Sequence, residues 1–470
     1  MTEPRTVEHP QLGAGTLLKT YMGGHEWEVE FESGRRFRLP AREFERESVA
    51  TWQFQVPALP ELPAPRPRIL EPDQYRARQT LEALRFGIVP MQDVETLTIG
   101  LEAETVSLNR ALARATERGG DVQVIIGDYG FGKSHFIELA ARRALRQNFL
   151  VMVASLDLLE APPNKPFEVY HALVKSLRYP GLPQEQGLGH LVKQVAGQPA
   201  LLRELIDLSP VPEICPLAQG LSALHESTSQ AVLDDVTGWW SGDIHPAKAL
   251  KPYIKKLQRL YKVGATSRLY TYLLTGISEI ATRSGYSGLA VLIDESEHYS
   301  LLRSRQRVRA DAFFTALIAS AVWTNSGRIT PDDLPHNHYR EYPVRFADDP
   351  HMFFLFAMTE SESKLPIDEW LSPTQMLRLD DRYIEDDIRR FMQTLVDYHA
   401  LAYDYVPQER FSANGALSYI PSLLSRSLSQ HRINLRELIR VSVTVFDLLY
   451  LHNDFTPDDA VDELRQGLRL

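Results

Sequence analysis

The stretch from Val122 to Leu145 restricts what this chain can fold into more than any other. Val122 to Ile126 is a short, largely β-branched apolar run, the pattern of a strand buried on both faces. Gly127-x-x-x-x-Gly132-Lys133-Ser134 follows without a gap, and Phe136 to Leu145 then reads as an amphipathic helix. Strand, glycine loop and helix in this order make a phosphate-binding loop. Glycines let backbone N–H groups curl around phosphate oxygens, and the helix N-terminus adds its partial positive charge. Gly127, Asp128, Tyr129, Gly130, Phe131, Gly132, Lys133, Ser134 and His135 are therefore the candidate nucleotide-binding residues. Lys133 would reach the β- and γ-phosphates of ATP, and the Ser134 hydroxyl would bind Mg²⁺.

A second half of such a site lies far downstream. Leu289 to Ile293 is an apolar run that ends in Asp294-Glu295, the Walker B pattern. A buried strand there would aim the Asp294 carboxylate at Mg²⁺, and Glu295 would orient or deprotonate the attacking water. Met352 to Met358 is another buried strand, and Thr359 stands at its end, where a γ-phosphate-sensing residue is expected. Asn148 to Asp157 and Met376 to Leu379 supply two further strands, and the first makes a βαβ unit with the loop strand. The resulting order is strand, phosphate loop, strand, insertion, Walker B strand, sensor strand, last strand. It predicts an α/β fold with an AAA+-like parallel sheet and ligands at its carboxyl edge.

This core is expected over 75–380, interrupted by a largely helical insertion at about 166–263, with an all-α lid over 381–470. The lid helices are read at Asp386 to Tyr405, Gly415 to Leu428 and Leu435 to Tyr450. Arg432 to Arg440 is similar to a segment in which an arginine at a helix start reaches the phosphates. Arg436 is the chosen residue, with Arg440 and Arg432 behind it; an amphipathic helix with exposed arginines is the plainer reading. Arg283, Arg303, Arg305, Arg307 and Arg309 are candidates for an arginine that one subunit offers to a neighbour in an ATP-dependent homo-oligomer.

Residues 1–56 alternate apolar and charged positions between glycine turns, which predicts a small β-barrel. It resembles the SH3- or Tudor-like barrels attached to bacterial helicases, either as a docking module or as a barrel packed on its own chain. A proline-rich linker is expected over 57–74. Lys248, Lys251, Lys255, Lys256, Arg259 and Lys262 gather with Tyr253 and Tyr261 on a presumed helix, either a solvated face or a contact for DNA or a partner. Net charge is −10, so any nucleic-acid contact has to be a local patch. The single cysteine, Cys215, the lack of a signal-like N-terminus and the absence of a long apolar run predict a cytoplasmic protein with no membrane span.

Four stretches together resemble the ATP-binding proteins of BREX-type phage-defence systems, an AAA+-like bacterial family. They are Thr80 to Pro90, Gly127 to His135, Trp239 to Asp243 and Gly285 to Glu297, within a resemblance that spans roughly 76–450. The resemblance implies an ATPase in a defence complex beside a helicase, methyltransferase or nuclease, and it excludes the N-terminal barrel. Two functions follow: ATP turnover that remodels or loads a DNA-acting partner, or a slow nucleotide-dependent switch that recruits one.

Overall fold

The computed structural model describes residues 6–9, 12–21, 25–41, 44, 70–209, 215–243, 247–255, 257–258, 260, 267–322, 329, 343–359, 367–379, 385–407, 411 and 435–468. They fall into two compact units, 1–69 and 70–470. In the first, β1 (Thr6–His9), β2 (Gly13–Tyr21), β3 (Glu26–Phe31) and β4 (Arg36–Pro40) form an antiparallel meander in that order. Alternation along β3 sends Val29 and Phe31 into a small core with Val7 and Phe44. Glu26 and Arg38 (2.6 Å) and Glu30 and Arg36 (3.0 Å) pair across strands. Among the described residues this sheet is open, with β1 and β4 as its edges, so the expected barrel is not closed. Residues 45–56 of that expected barrel, and 57–69 of the linker, lie outside the described residues.

The second unit begins with α1 (Pro72–Arg85), which takes over the last residues assigned to the linker and uses Pro72 at its first turn. Gly87, at φ 68°, closes it: its N–H reaches the Leu84 carbonyl (3.0 Å) and that of Ile88 reaches Ala83 (2.8 Å). This is a Schellman turn, which needs the left-handed residue that glycine supplies. Then come α2 (Glu102–Arg118), β5 (Gly120–Gly127), α3 (Lys133–Arg146) and β6 (Phe149–Ser155). The insertion carries α4 (Pro166–Lys175), β7 (Arg178–Tyr179), β8 (Leu182–Gln186), α5 (Gly189–Ala196), α6 (Pro199–Leu208), α7 (Pro216–Glu226) and α8 (Gln230–Ser241). The chain returns through α9 (Ser267–Arg283), β9 (Gly288–Asp294), α10 (Ser304–Ala321), β10 (Met352–Met358), the short α11 (Ile367–Trp370) and β11 (Met376–Leu379). It ends in α12 (Glu385–Tyr403), α13 (Leu435–Leu451) and α14 (Pro457–Leu468).

The sheet order is β11-β5-β10-β9-β6-β7-β8, and the first five strands are mutually parallel. β10 thus sits between the phosphate-loop strand and the Walker B strand, in register with both. The central strands β5, β9 and β10 are buried along their whole length, which is why they read as near-continuous apolar runs, broken in β5 by the buried Asp121 and Gln123. Alternate residues serve two helical layers. Val122, Val124, Val291, Phe354 and Phe356 pack with α4, α9, α10 and the insertion on one face. Ile125, Leu292, Phe353 and Leu355 pack with α2 and α3 on the other.

The insertion is not wholly helical: β7 and β8 form an antiparallel hairpin that extends the sheet beyond β6. The Glu138 carboxylate on α3 and Arg178 on β7 pair at 2.9 Å, tying the hairpin to the phosphate-loop helix. Nor does the described part of the lysine cluster lie on a helix. Residues 249–253 are turns, with Lys248, Lys251 and Lys255 exposed and Leu250 and Ile254 buried; Lys256, Arg259 and Lys262 lie outside the described residues. Trp239 to Asp243 is structural. Trp240 lies so close to Gly220 that a Cβ there would come within 2.6 Å of the indole, and its Nε1 donates to the Pro216 carbonyl.

A separate apolar core joins α1 to the C-terminal helices: Ala77, Leu81 and Leu84 pack with Phe391, Leu395, Leu438 and Phe446. Beside it, Asp447 accepts from Arg85 (2.6 Å) and contacts the buried His399 ring (3.1 Å), whose other nitrogen meets Tyr405 (2.8 Å). The expected helix Gly415 to Leu428 lies outside the described residues. No described helix is long and apolar enough to cross a membrane.

Candidate nucleotide site

Each glycine of the phosphate loop has a distinct task. Gly127 ends β5 against β11, where a Cβ would lie 3.0 Å from the Leu379 carbonyl oxygen. Gly130 and Gly132 both sit at φ 88°, in the left-handed region. From this turn α3 starts at Lys133, and the Phe136 N–H bonds back to the Gly132 carbonyl (2.8 Å).

Lys133 is buried. Its Nζ donates to the Gly127 carbonyl (2.9 Å), the Asp128 carbonyl (3.3 Å) and Thr359 Oγ1 (2.8 Å). Thr359 lies just past β10, so strand order alone brings it beside a lysine 226 positions away in sequence. Asp294, at the end of β9, is buried, and its Oδ1 accepts from the Glu295 N–H (2.8 Å). Glu295 adopts φ 56°, ψ 36°, a left-handed conformation that costs a non-glycine residue free energy and that clusters at functional positions. The turn lifts its carboxylate out of the sheet: Asp294 is 8% exposed, the Glu295 side chain 48%. His298 Nδ1 stands 3.8 Å from the Glu295 carboxylate and 2.8 Å from the Leu156 carbonyl.

Lys133, Asp294 and Glu295 face one cleft of about 200 Å³, lined also by Gly130, Gly132, Ser134, His135 and Arg436 among others; Thr359 is not among its lining residues. Its second half is apolar, made by Ile88 to Pro90 after α1, Leu97, Ile99 and Leu101 before α2, and Phe391, Leu435 and Ile439 from the C-terminal helices. A polar end and an apolar end suit a phosphorylated ligand with a flat, weakly polar base. Among the described residues no cluster of three His, Cys, Asp or Glu side chains is built to hold a metal alone. One hydroxyl and one carboxylate, from Ser134 and Asp294, match Mg²⁺, which takes most of its ligands from water and phosphate.

Sequence reasoning missed how the cleft wall is held. His135 Nε2 meets Thr98 Oγ1 at 2.8 Å, and that hydroxyl donates to the Val94 carbonyl (2.6 Å). Burial pushes the His135 imidazole down to about 4, against the smaller opposing pull of the Val94 carbonyl. Arg142 reaches the Met91 carbonyl (2.9 Å), and Glu95 pairs with Arg143 (3.1 Å). The wall at 91–101 is thereby fastened to the phosphate-loop helix. On its other side Asp93 accepts from Arg76 and Thr80 of α1. A histidine directly after Lys-Ser was the available signal.

Arg436, at the start of α13, lies in the cleft, and its Nη1 donates to Tyr129 Oη at 2.5 Å. Arg440 does not line the cleft, and Arg432 lies outside the described residues. Of the arginines after Walker B, Arg307 is held over the Tyr299 ring (5.6 Å) and against the Leu302 carbonyl (3.3 Å). Arg283 is paired with Glu279 and Glu204. Arg303, Arg305 and Arg309 are exposed.

Comparison with known proteins covers part of this architecture. Residues 73–198, just over a quarter of the chain, match the family described as BREX system ATP-binding protein BrxC/D. The match includes α1, the cleft wall and the whole phosphate loop. Among solved structures, a Walker-type ATPase of Pyrococcus abyssi is similar at a TM-score of 0.34 and 11% identity, over 79% of this chain and 73% of that one. No curated protein matches.

Proposed function

We propose that this chain binds and hydrolyses ATP with Mg²⁺ and serves as the ATPase of a BREX-type defence complex. One observation carries the chemistry: Lys133, Ser134, Asp294, Glu295 and Arg436, from segments far apart in sequence, converge on a single cleft. The match over residues 73–198 to the BREX ATP-binding family supports the setting. Coupling of turnover to the remodelling or loading of a DNA-acting partner rests on that setting.

Phosphoryl transfer asks a protein for positioning and charge rather than covalent chemistry. The Lys133 ammonium, fixed by two loop carbonyls and Thr359, supplies positive charge at the loop. Backbone N–H groups of the loop and the start of α3 add theirs. Mg²⁺, when bound, neutralises charge on the phosphates, and Ser134 and Asp294 are the residues that would hold it. Glu295, raised into the cleft by its left-handed backbone, receives the proton of the attacking water as ATP and water become ADP and phosphate. Thr359 and Arg436 touch the loop from the sheet and from the C-terminal helices, so phosphate occupancy is sensed on both sides.

The test is Glu295→Gln. Mg²⁺-dependent release of phosphate should fall by at least about a hundredfold while ATP binding persists. Turnover at the wild-type rate would remove Glu295 from the reaction.

A further inference from the structure

Arg436 is gripped from two sides. Its aliphatic stem lies against Gly87, where a Cβ would stand 3.2 Å from Cδ and 3.4 Å from Cγ. Its guanidinium lies over the ring of Tyr129, 4.9 Å from the centroid, and donates through Nη1 to the phenolic oxygen at 2.5 Å. Gly87 is the left-handed residue that closes α1, and Tyr129 is a variable position of the phosphate loop, 67% exposed. All three residues line the same cleft.

An aromatic side chain exposed to that degree on a phosphate loop adds little to the core, so packing does not account for it. A cation over its face and a hydrogen bond to its hydroxyl do. The guanidinium is planar and carries five N–H donors in a fixed fork, so a single bond to a phenol and a stacked face fix its direction without exhausting it. We propose that Tyr129 is a positioning residue for Arg436. The phenol holds the guanidinium at the phosphate end of the cleft, and Gly87 keeps its stem clear of α1. The loop thereby selects the arginine's direction before the nucleotide's phosphates use its charge. Tyr129 acts through Arg436 and not on the reacting atoms. The inference rests on the ATP-binding reading of the cleft.

The test is a double-mutant cycle read by calorimetric binding of Mg·ATP and by steady-state turnover. Tyr129→Ala should raise Kd and KM for ATP about three- to tenfold and lower kcat less, the range expected for one stacked cation and one charge-assisted bond. Tyr129→Phe, which keeps the ring and loses the hydroxyl, should fall between wild type and Tyr129→Ala. In an Arg436→Ala background both substitutions should have no further effect. Equal effects in the two backgrounds would show that Tyr129 acts independently of Arg436 and would overturn the proposal, as would unchanged Kd and KM in the single variants. Those outcomes leave ATP binding by the wild-type chain intact. A wild-type chain that binds no Mg·ATP would instead overturn the reading of the cleft, and this proposal with it.

Discussion

At the scale of single residues, the site's polar groups were legible because their chemistry dictates their neighbours in sequence. A lysine and serine after a glycine loop, and two carboxylates after an apolar run, announce themselves. Tyr129 and His135 could be named only as loop residues, because the contacts each makes depend on a partner from a distant segment. His135 yields a prediction about pH. Its imidazole is pushed down to about 4 in the folded chain, against an ordinary value of about 6.5. Between these values the unfolded chain binds a proton that the folded chain refuses. The stabilising contribution of the neutral ring is therefore complete above about 6.5 and is lost progressively as pH falls toward 4. Melting temperatures of wild type and His135→Gln, taken at pH 7 and pH 5, should show a shallower acid-side loss in the variant. Gly288 makes a second case. It sits at φ 138°, and a Cβ there would fall 1.9 Å from the His351 carbonyl oxygen, so Gly288→Ala should destabilise by on the order of 3 kcal/mol in denaturant unfolding.

At the scale of elements, apolar runs located every strand of the parallel core, because burial leaves them few polar positions, such as Gln123 in β5 and Arg378 in β11. The short hairpin β7–β8 escaped because its second strand is exposed throughout and carries no apolar alternation. The lysine-rich segment misled for the opposite reason: charge spacing resembled a helix face, but Leu250 and Ile254 are buried inside a run of turns. The partnership of α1 with the C-terminal helices was also hidden, because nothing local to Pro72–Arg85 names its partner. That partnership rests on a polar cluster as well as on packing. Asp447 joins Arg85 of α1 to His399 of α12. Asp447→Ala strands a half-buried guanidinium and a buried imidazole, and should cost about 2 kcal/mol. Hydrogen exchange should quicken in α1, α12 and α13 while the central strands β5, β9 and β10 keep their protection.

At the scale of the whole molecule, every described residue that lines the cleft belongs to the unit 70–470, which has its own cores on both sheet faces and around α1. A chain beginning at Leu70 should fold and retain Mg²⁺-dependent ATP turnover within about twofold of the full chain, a change of under about 0.5 kcal/mol in the barrier. A large loss would give the N-terminal sheet a part in the reaction. Net charge of −10 leaves the exposed Lys248, Lys251 and Lys255 as a local exception, and their neutralisation is the substitution to make in a salt series on DNA.

β9 is paired along its full length with β6, from Gly288 opposite Phe149 to Asp294 opposite Ser155, and along five residues with β10. Its foot is wedged at Gly288 beneath the His351 carbonyl, and nothing at that end can slide. The strand therefore works as a gauge of fixed length, and the height of the two carboxylates above the sheet is set by counting residues from its base. Adding one residue within β9 would turn Asp294 to the opposite face, and adding two would restore the face but raise it by about 6.6 Å. The distance from the Gly-Tyr-x-Gly lead to Asp294-Glu295 is thus a dimension of the machine, and substitutions along the strand are tolerable where changes in its length are not.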